Sequence, residues 1–265
     1  KIWEFNNKNS YLIEDTIKKK IKGNPDKIIE KIIEDFKFKT PAGLPPICSL
    51  ISGYFSYDSI RYIEKIPNTC KDDLKLPDVR LLRPRTLIIH DNLKKKIFYI
   101  INIFNDEKIL NYKVKYLEIE SNINDLLIQA SLEKNYSYEK TKKKIKVKSN
   151  TTKKKFLDMV NKAKKYIKIG DIFQVVLSQR FETKLSKKPL EIYKKLRVTN
   201  PSPFMYFFNF HDFQIIGASP EILVRLRDNK ITVRPIAGTR PRGKNSKEDN
   251  FFVKDLLQDK KELSE

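Results

Sequence analysis

Two cysteines, two histidines and one tryptophan among 265 residues leave several kinds of chemistry without the side chains they need. Cys48 and Cys70 form no CxxC pair, and His90 and His211 stand far from both in sequence, so a zinc site is not expected. A Ser/His/Asp triad would have to draw on the same two histidines, neither in a suggestive context. The sequence contains no GxxxxGK[ST], no GxGxxG and no HExxH. No apolar run approaches the roughly 20 residues of a membrane helix. No signal-peptide pattern opens the sequence, so free thiols, a cytoplasmic location and no membrane association are expected. The first residue is Lys1, not Met, and Phe252 to Glu265 reads as a helix still running at the last residue. Both features are expected of a piece of a longer chain.

What the sequence has in excess is positive charge. Lysine and arginine number 55 against 33 aspartates and glutamates, a formal charge of +22. A basic module that binds nucleic acid is one reading of that excess. Coding bias is the other: lysine far outnumbers arginine, and isoleucine and asparagine are also abundant, as an AT-rich genome produces. The lysines spread along the whole chain, whereas nucleic-acid binders cluster arginine and interleave aromatics on one face. The second reading is adopted, and no nucleic-acid partner is expected. With 40% hydrophobic residues and 16 Phe and 12 Tyr to pack, the composition is that of a globular protein.

Hydrophobic spacing predicts the elements. Asp26 to Phe36 sets Ile28, Ile29, Ile32, Ile33 and Phe36 on one helical face. Pro41 to Pro46 breaks regular structure. Ile51 to Tyr57 reads as a strand with close backbone approach at Gly53. Leu87 to His90 and Lys96 to Phe104 flank a hairpin signal at Asp91-Asn92. Asn111 to Ala130 is a weakly patterned helix, and the polar, lysine-heavy stretch Tyr136 to Asn150 reads as a linker. Thr152 caps a helix whose stripe is Phe156, Met159, Val160, Ala163 and Ile167, with Gly170 as its stop. Ile172 to Phe181 reads as a buried strand. Pro189 opens a helix to Arg197. Met205 to Phe210, Phe213 to Ile216, Ile222 to Leu226 and Ile231 to Val233 read as successive strands, with Asp228-Asn229 at a tight hairpin tip. Ser246 caps a last helix with Phe252, Val253, Leu256, Leu257 and Leu263 facing inward. This order of elements is α+β.

Three clusters could carry chemistry. In residues 170–180, Gln174, Ser178 and Arg180 share one face of the expected strand, either lining a site or paired internally. In Gly217-Ala-Ser-Pro-Glu221, a carboxylate stands at the mouth of a strand, placed for proton donation if its pKa is raised, or simply exposed. In residues 234–243, Gly238 allows close approach to the backbone and Thr239 offers a hydroxyl and an N–H. Arg240 and Arg242 could grip ligand carboxylates; a solvated basic loop is the alternative.

The stretches GDIFQVVLSQRF (170–181), NPSPFMYFF (200–208), GASPEILVR (217–225), RPIAGTRPRG (234–243) and KELSE (261–265) together resemble the chorismate-utilising enzymes, and among them the large subunit of anthranilate synthase. Upstream, SGYFSYDSIRYIEKIP (52–67) and LPDVRLLRP (76–84) are similar to the N-terminal region of that family. The resemblance implies a two-sheet antiparallel sandwich flanked by helices. It divides the chain into an N-terminal region (1–105), a variable or linker region (106–150) and the first part of the chorismate-binding catalytic domain (151–265). It also implies that the family's early tryptophan-contacting segment and everything after Glu265 lie outside this sequence.

The activity implied is conversion of chorismate and ammonia to anthranilate and pyruvate, with a glutamine amidotransferase subunit as the ammonia source. Glu221 matches the general acid that protonates the leaving C4 hydroxyl. Gly238 and Thr239 match chorismate contacts. Glu265 matches one ligand of the Mg²⁺ that neutralises the ring carboxylate. Pro203, Phe204 and Met205 match the site of feedback inhibition by tryptophan, Phe204 standing where Tyr is more usual. Relatives that add water carry a lysine base where this chain has Gln174. Aminodeoxychorismate synthases, the near alternative, often carry lysine where this chain has Ala237. Both positions favour anthranilate synthase. A piece ending at Glu265 is expected to be inactive by itself, lacking the second metal ligand.

Overall fold

The computed structural model describes residues 1–6, 9–14, 16–36, 38–132, 145–234, 236 and 238–264. The chain divides into two units, Lys1–Tyr138 and Glu139–Glu265. It is α+β, and every ladder among the described residues is antiparallel.

The first unit opens with three consecutive strands, β1 (Ile2–Asn6), β2 (Asn9–Glu14) and β3 (Ile17–Ile21). Helix α1 (Pro25–Asp35) follows, then β4 (Ser52–Phe55) and β5 (Val79–Leu82). The five strands form one sheet in the order β3-β2-β1-β5-β4. Residues paired across β1 and β5 share a face, because side chains alternate along a strand. Phe5 pairs with Val79 and Trp3 with Leu81 on one face, where Ile32 of α1 completes the buried cluster. Burial of each such side chain stabilises by about 1.5–3 kcal/mol relative to exposure. The register places Glu4 opposite Arg80 on the other face, where both are buried and ion-paired, and Lys18 closes the group at 2.6 Å from Glu4.

Gly53 meets the expectation of close approach: a Cβ there would overlap the Arg80 carbonyl oxygen. The unit continues with the hairpin β6 (Thr86–Asp91) and β7 (Lys96–Ile101), then helix α2 (Tyr112–Ser131). Asp91 Oδ1 accepts from the N–H groups of Leu93 and Lys94, so the predicted turn forms through an Asx-type bond. Asn111 caps α2 through the N–H groups of Lys113 and Val114. The cysteines are free, Cys48 buried and Cys70 exposed.

In the second unit, β8 (Lys148–Ser149) precedes α3 (Lys153–Ile169). Thr152 caps this helix as the sequence predicts, and Gly170 ends it in the left-handed region at φ 84°. After β9 (Phe181–Glu182) come α4 (Pro189–Thr199), β10 (Phe204–Asn209) and β11 (Gln214–Ser219). Then follow β12 (Arg225–Arg227), β13 (Lys230–Thr232), α5 (Ser246–Gln258) and α6 (Lys260–Ser264). Asp228 and Asn229 form the two-residue tip between β12 and β13 with φ of 49° and 59°, the conformation a type I′ turn demands.

Four expectations are corrected here. Of the strand expected over 172–181, only its last residue joins a ladder, β8 with β9. Residues 172–180 lack a strand partner among the described residues, and Phe173 and Val176 are exposed. An apolar β-branched run signals a strand only if a neighbour supplies hydrogen bonds. Part of the expected linker, Lys148–Ser149, is the partner of β9; residues 133–144 lie outside the description. The strand expected at 222–226 starts only at Arg225. The final helix is capped by Asn245, whose side chain accepts from Glu248 N, and not by Ser246. It breaks at Asp259 (ψ 114°), and Val253, Leu257 and Leu263 are exposed instead of facing inward.

Candidate active site

Two of the predicted site segments form one hairpin. In the β10–β11 register Phe204 faces Ser219, Met205 faces Ala218 and Tyr206 faces Gly217. Tyr206 lies over Gly217, where a Cβ would overlap its ring. The glycine of the 217–221 motif is thus required by an aromatic on the neighbouring strand. Pro203 and Phe204 are exposed at the start of this hairpin and Met205 is half-buried.

Past the end of β11 the chain turns through Pro220. Ser219 Oγ donates to the Glu221 carbonyl at 3.0 Å and accepts from Glu221 N at 3.4 Å, a local turn that fixes where the Glu221 side chain starts. Glu221 Oε1 accepts from Ile236 N at 3.2 Å, which brings the carboxylate to the 234–243 loop. One oxygen is held, and the residue is exposed.

The loop itself is fixed to α5. Asp249 Oδ1 accepts from Gly243 N at 2.9 Å and its Oδ2 pairs with Arg242 at 3.1 Å. The backbone hydrogen bond from Gly243, with the nearby Arg242 charge, holds the Asp249 carboxyl below its ordinary pKa. Arg240 pairs with Asp255 and with Asp259, the latter at 2.7 Å, and these hydrogen bonds raise its pKa. Both arginines therefore pair with carboxylates of their own chain, Arg240 with two and Arg242, which stays exposed, with one.

Gly238 is half-buried, and a Cβ there would fall on the carboxylate of Glu262. Glu262 of α6 therefore reaches the loop beside Thr239, which is exposed. The sequence reading passed over Glu262 although it stands in the KELSE motif. The signal was its spacing in sequence, three residues before Glu265, the i, i+3 spacing of a helical face. Glu265 and Ala237 lie outside the described residues. Gln174 is exposed, and no hydrogen bond or ion pair joins it to Glu221 or to the loop among the described residues. The structure thus brings together Glu221, Ile236, Gly238 and Glu262, with the Phe204–Met205 strand beside the Glu221 turn.

As for a metal, no group of three or more His, Cys, Asp or Glu could hold one among the described residues. Glu262 supplies the hard oxygen donors that Mg²⁺ takes, at the place where Gly238 leaves room for them. That carboxylate is of the kind Mg²⁺ takes, one of the several oxygen ligands such an ion needs.

The hairpin thus carries a carboxylate to a glycine-containing loop that a second carboxylate also reaches from a helix. The family pattern of chorismate binding enzymes matches residues 2–265. The chain belongs to that family. Anthranilate synthase component 1 of Cereibacter sphaeroides is 41% identical over 247 residues, covering 92% of this chain and 49% of that protein. The component of the same name from Acetivibrio thermocellus is 38% identical over 274 residues, covering 97% of this chain and 56% of that protein. The solved structure of anthranilate synthase component I from Streptococcus pneumoniae superposes with a TM-score of 0.76 at 29% identity, covering all of this chain and 58% of that one. The α+β fold with antiparallel sheets and flanking helices is therefore shared with that enzyme. This chain spans about half the length of the curated relatives it matches. Among the described residues no helix is long and apolar enough to cross a membrane.

Proposed function

We propose that the protein carrying this chain is the large, chorismate-binding subunit of an anthranilate synthase. It converts chorismate and ammonia to anthranilate, pyruvate and water. The observation that carries the reading is the Glu221 carboxylate held against the loop of Gly238 and Thr239 by Ile236 N. Ammonia adds to C2 of the ring and the C4 hydroxyl leaves. That hydroxyl departs as water only if it is protonated, and Glu221 is the acid placed to do so. Loss of the enolpyruvyl side chain as pyruvate then leaves the aromatic ring. Gly238 presents backbone to the substrate and Thr239 its hydroxyl and N–H.

Mg²⁺ belongs to this reading, held through Glu265, with Glu262 three residues earlier. An ion held there would neutralise the ring carboxylate. Ammonia carries its own lone pair and needs no base, which agrees with Gln174 in place of a lysine. The reading further includes a glutamine amidotransferase subunit as ammonia source, feedback inhibition by tryptophan bound at Pro203, Phe204 and Met205, and a cytoplasmic location. Names of the relatives support the activity and imply a second component.

The test is product analysis of the enzyme given chorismate, ammonium and Mg²⁺. Anthranilate and pyruvate in equal amounts are expected. Aminodeoxychorismate accumulating without pyruvate would assign the enzyme to the neighbouring branch of the family and overturn the reading.

A further inference from the structure

We infer that Arg240 is a positioning residue that sets Glu262 against Gly238, an inference that rests on the function proposed above. Arg240 directly follows Gly238 and Thr239, so whatever holds its guanidinium holds that backbone. Two carboxylates do so. Asp255 lies in the last turns of α5, and Asp259 occupies the break between α5 and α6. A guanidinium is a planar fork with fixed donor directions, so two carboxylates on different donors fix its orientation as well as its place.

Asp259 is the pivot. Its Oδ2 takes Arg240 Nη2 at 2.7 Å, while its Oδ1 accepts from Glu262 N at 3.4 Å and its carbonyl accepts from Leu263 N at 3.0 Å. The same carboxylate that holds Arg240 thus starts the helical turn that carries Glu262. The Glu262 side chain then returns to Gly238. The contacts close a ring: Gly238, Thr239, Arg240, Asp259, Glu262, and back to Gly238. Glu221 enters from outside through Ile236, two residues before Gly238. A ring of this kind explains why a cation in a site for an anionic substrate is turned away from it. Its charge is used up on Asp255 and Asp259, and its work is geometric.

The experiment compares Arg240→Gln, Arg240→Lys, Glu262→Gln and the double variant Arg240→Gln/Glu262→Gln in the enzyme, by kcat, by KM for chorismate and by amide hydrogen exchange. Arg240→Gln is expected to lower kcat about ten- to a hundredfold, the scale at which an ångström of misplacement acts. Exchange at the Glu262 and Leu263 amides should quicken while that of the sheet in the first unit is unchanged. Arg240→Lys, which keeps the charge and loses the fork, should recover part of the rate. Because Arg240 acts through Glu262, the double variant should lose no more than Glu262→Gln alone.

Fully additive losses would overturn the inference. So would a kcat that is normal per folded molecule in Arg240→Gln, or unchanged exchange at both amides. If the unaltered enzyme makes no anthranilate, the functional reading fails by itself. The exchange measurement, which needs no turnover, still decides whether Arg240 sets the start of α6.

Discussion

Glu221 and Ile236 are joined across fifteen residues of sequence: the Ile236 N–H donates to Glu221 Oε1 at 3.2 Å. That bond ties the turn after β11 to the loop that holds Gly238 and Thr239. With Glu262 reaching Gly238 from α6, three separate parts of the second unit meet at one backbone segment.

Two glycines that look alike in sequence should respond differently to alanine. At Gly53 the new methyl meets the backbone carbonyl of Arg80, which cannot move without parting β4 from β5. Gly53→Ala should destabilise the first unit by about 1–3 kcal/mol, the range for overpacked sites, read from urea unfolding. At Gly238 the methyl meets the far end of the Glu262 side chain, which can swing aside. Gly238→Ala should unfold at nearly the same urea concentration as the parent yet lose anthranilate formation. Equal stability losses in the two variants would contradict this account.

The buried Glu4 gives the first unit a pH dependence. Burial alone would raise its pKa, but the hydrogen bonds and charges of Lys18 and Arg80 outweigh that and hold it below the ordinary carboxylate range. A depressed carboxylate contributes stability above its unfolded pKa, about 4.3, and that contribution fades as pH falls through the folded value. Stability of the first unit should therefore decline below about pH 4. Glu4→Ala should remove this share of the decline and lower stability at neutral pH, since Arg80 and Lys18 would both lose the carboxylate they share. A variant as stable as the parent at pH 7 would refute the role of the pair.

How legible was this in the sequence? Elements announced by local rules came through: the Thr152 cap, the Gly170 stop, the Asp91 turn and the Asp228-Asn229 tip each depend on one or two residues. The first three strands gave weaker signals, because lysines fill most of β3 and no glycine occurs in the sequence before Gly23. The 172–181 segment misled for the opposite reason, since its composition is strand-like while its hydrogen-bond partner is a matter of tertiary placement. Among candidate site residues, Glu221 and Gly238 stand in motifs that the sequence displays, and the structure brings the first to the loop of the second. The roles of Arg240 and Glu262 depend on where α5 breaks, and only the Asp259 backbone shows that.

Position 174 offers a test of the nucleophile. Gln174→Lys places a base where relatives that add water carry one. Products from chorismate and ammonium should include a hydroxylated species at the expense of anthranilate, resolved by chromatography. An unchanged product mixture would mean that Gln174 does not line the pocket.

The central claim is that Glu221 delivers a proton in a site built on the 234–243 loop. Glu221→Gln keeps an oxygen that can accept from Ile236 N, so the loop contact survives while the acid is lost. The decisive measurement is anthranilate formation by Glu221→Gln, followed by fluorescence, beside its binding of chorismate. The account predicts retained binding with turnover reduced about a hundredfold or more; turnover equal to that of the parent would contradict it.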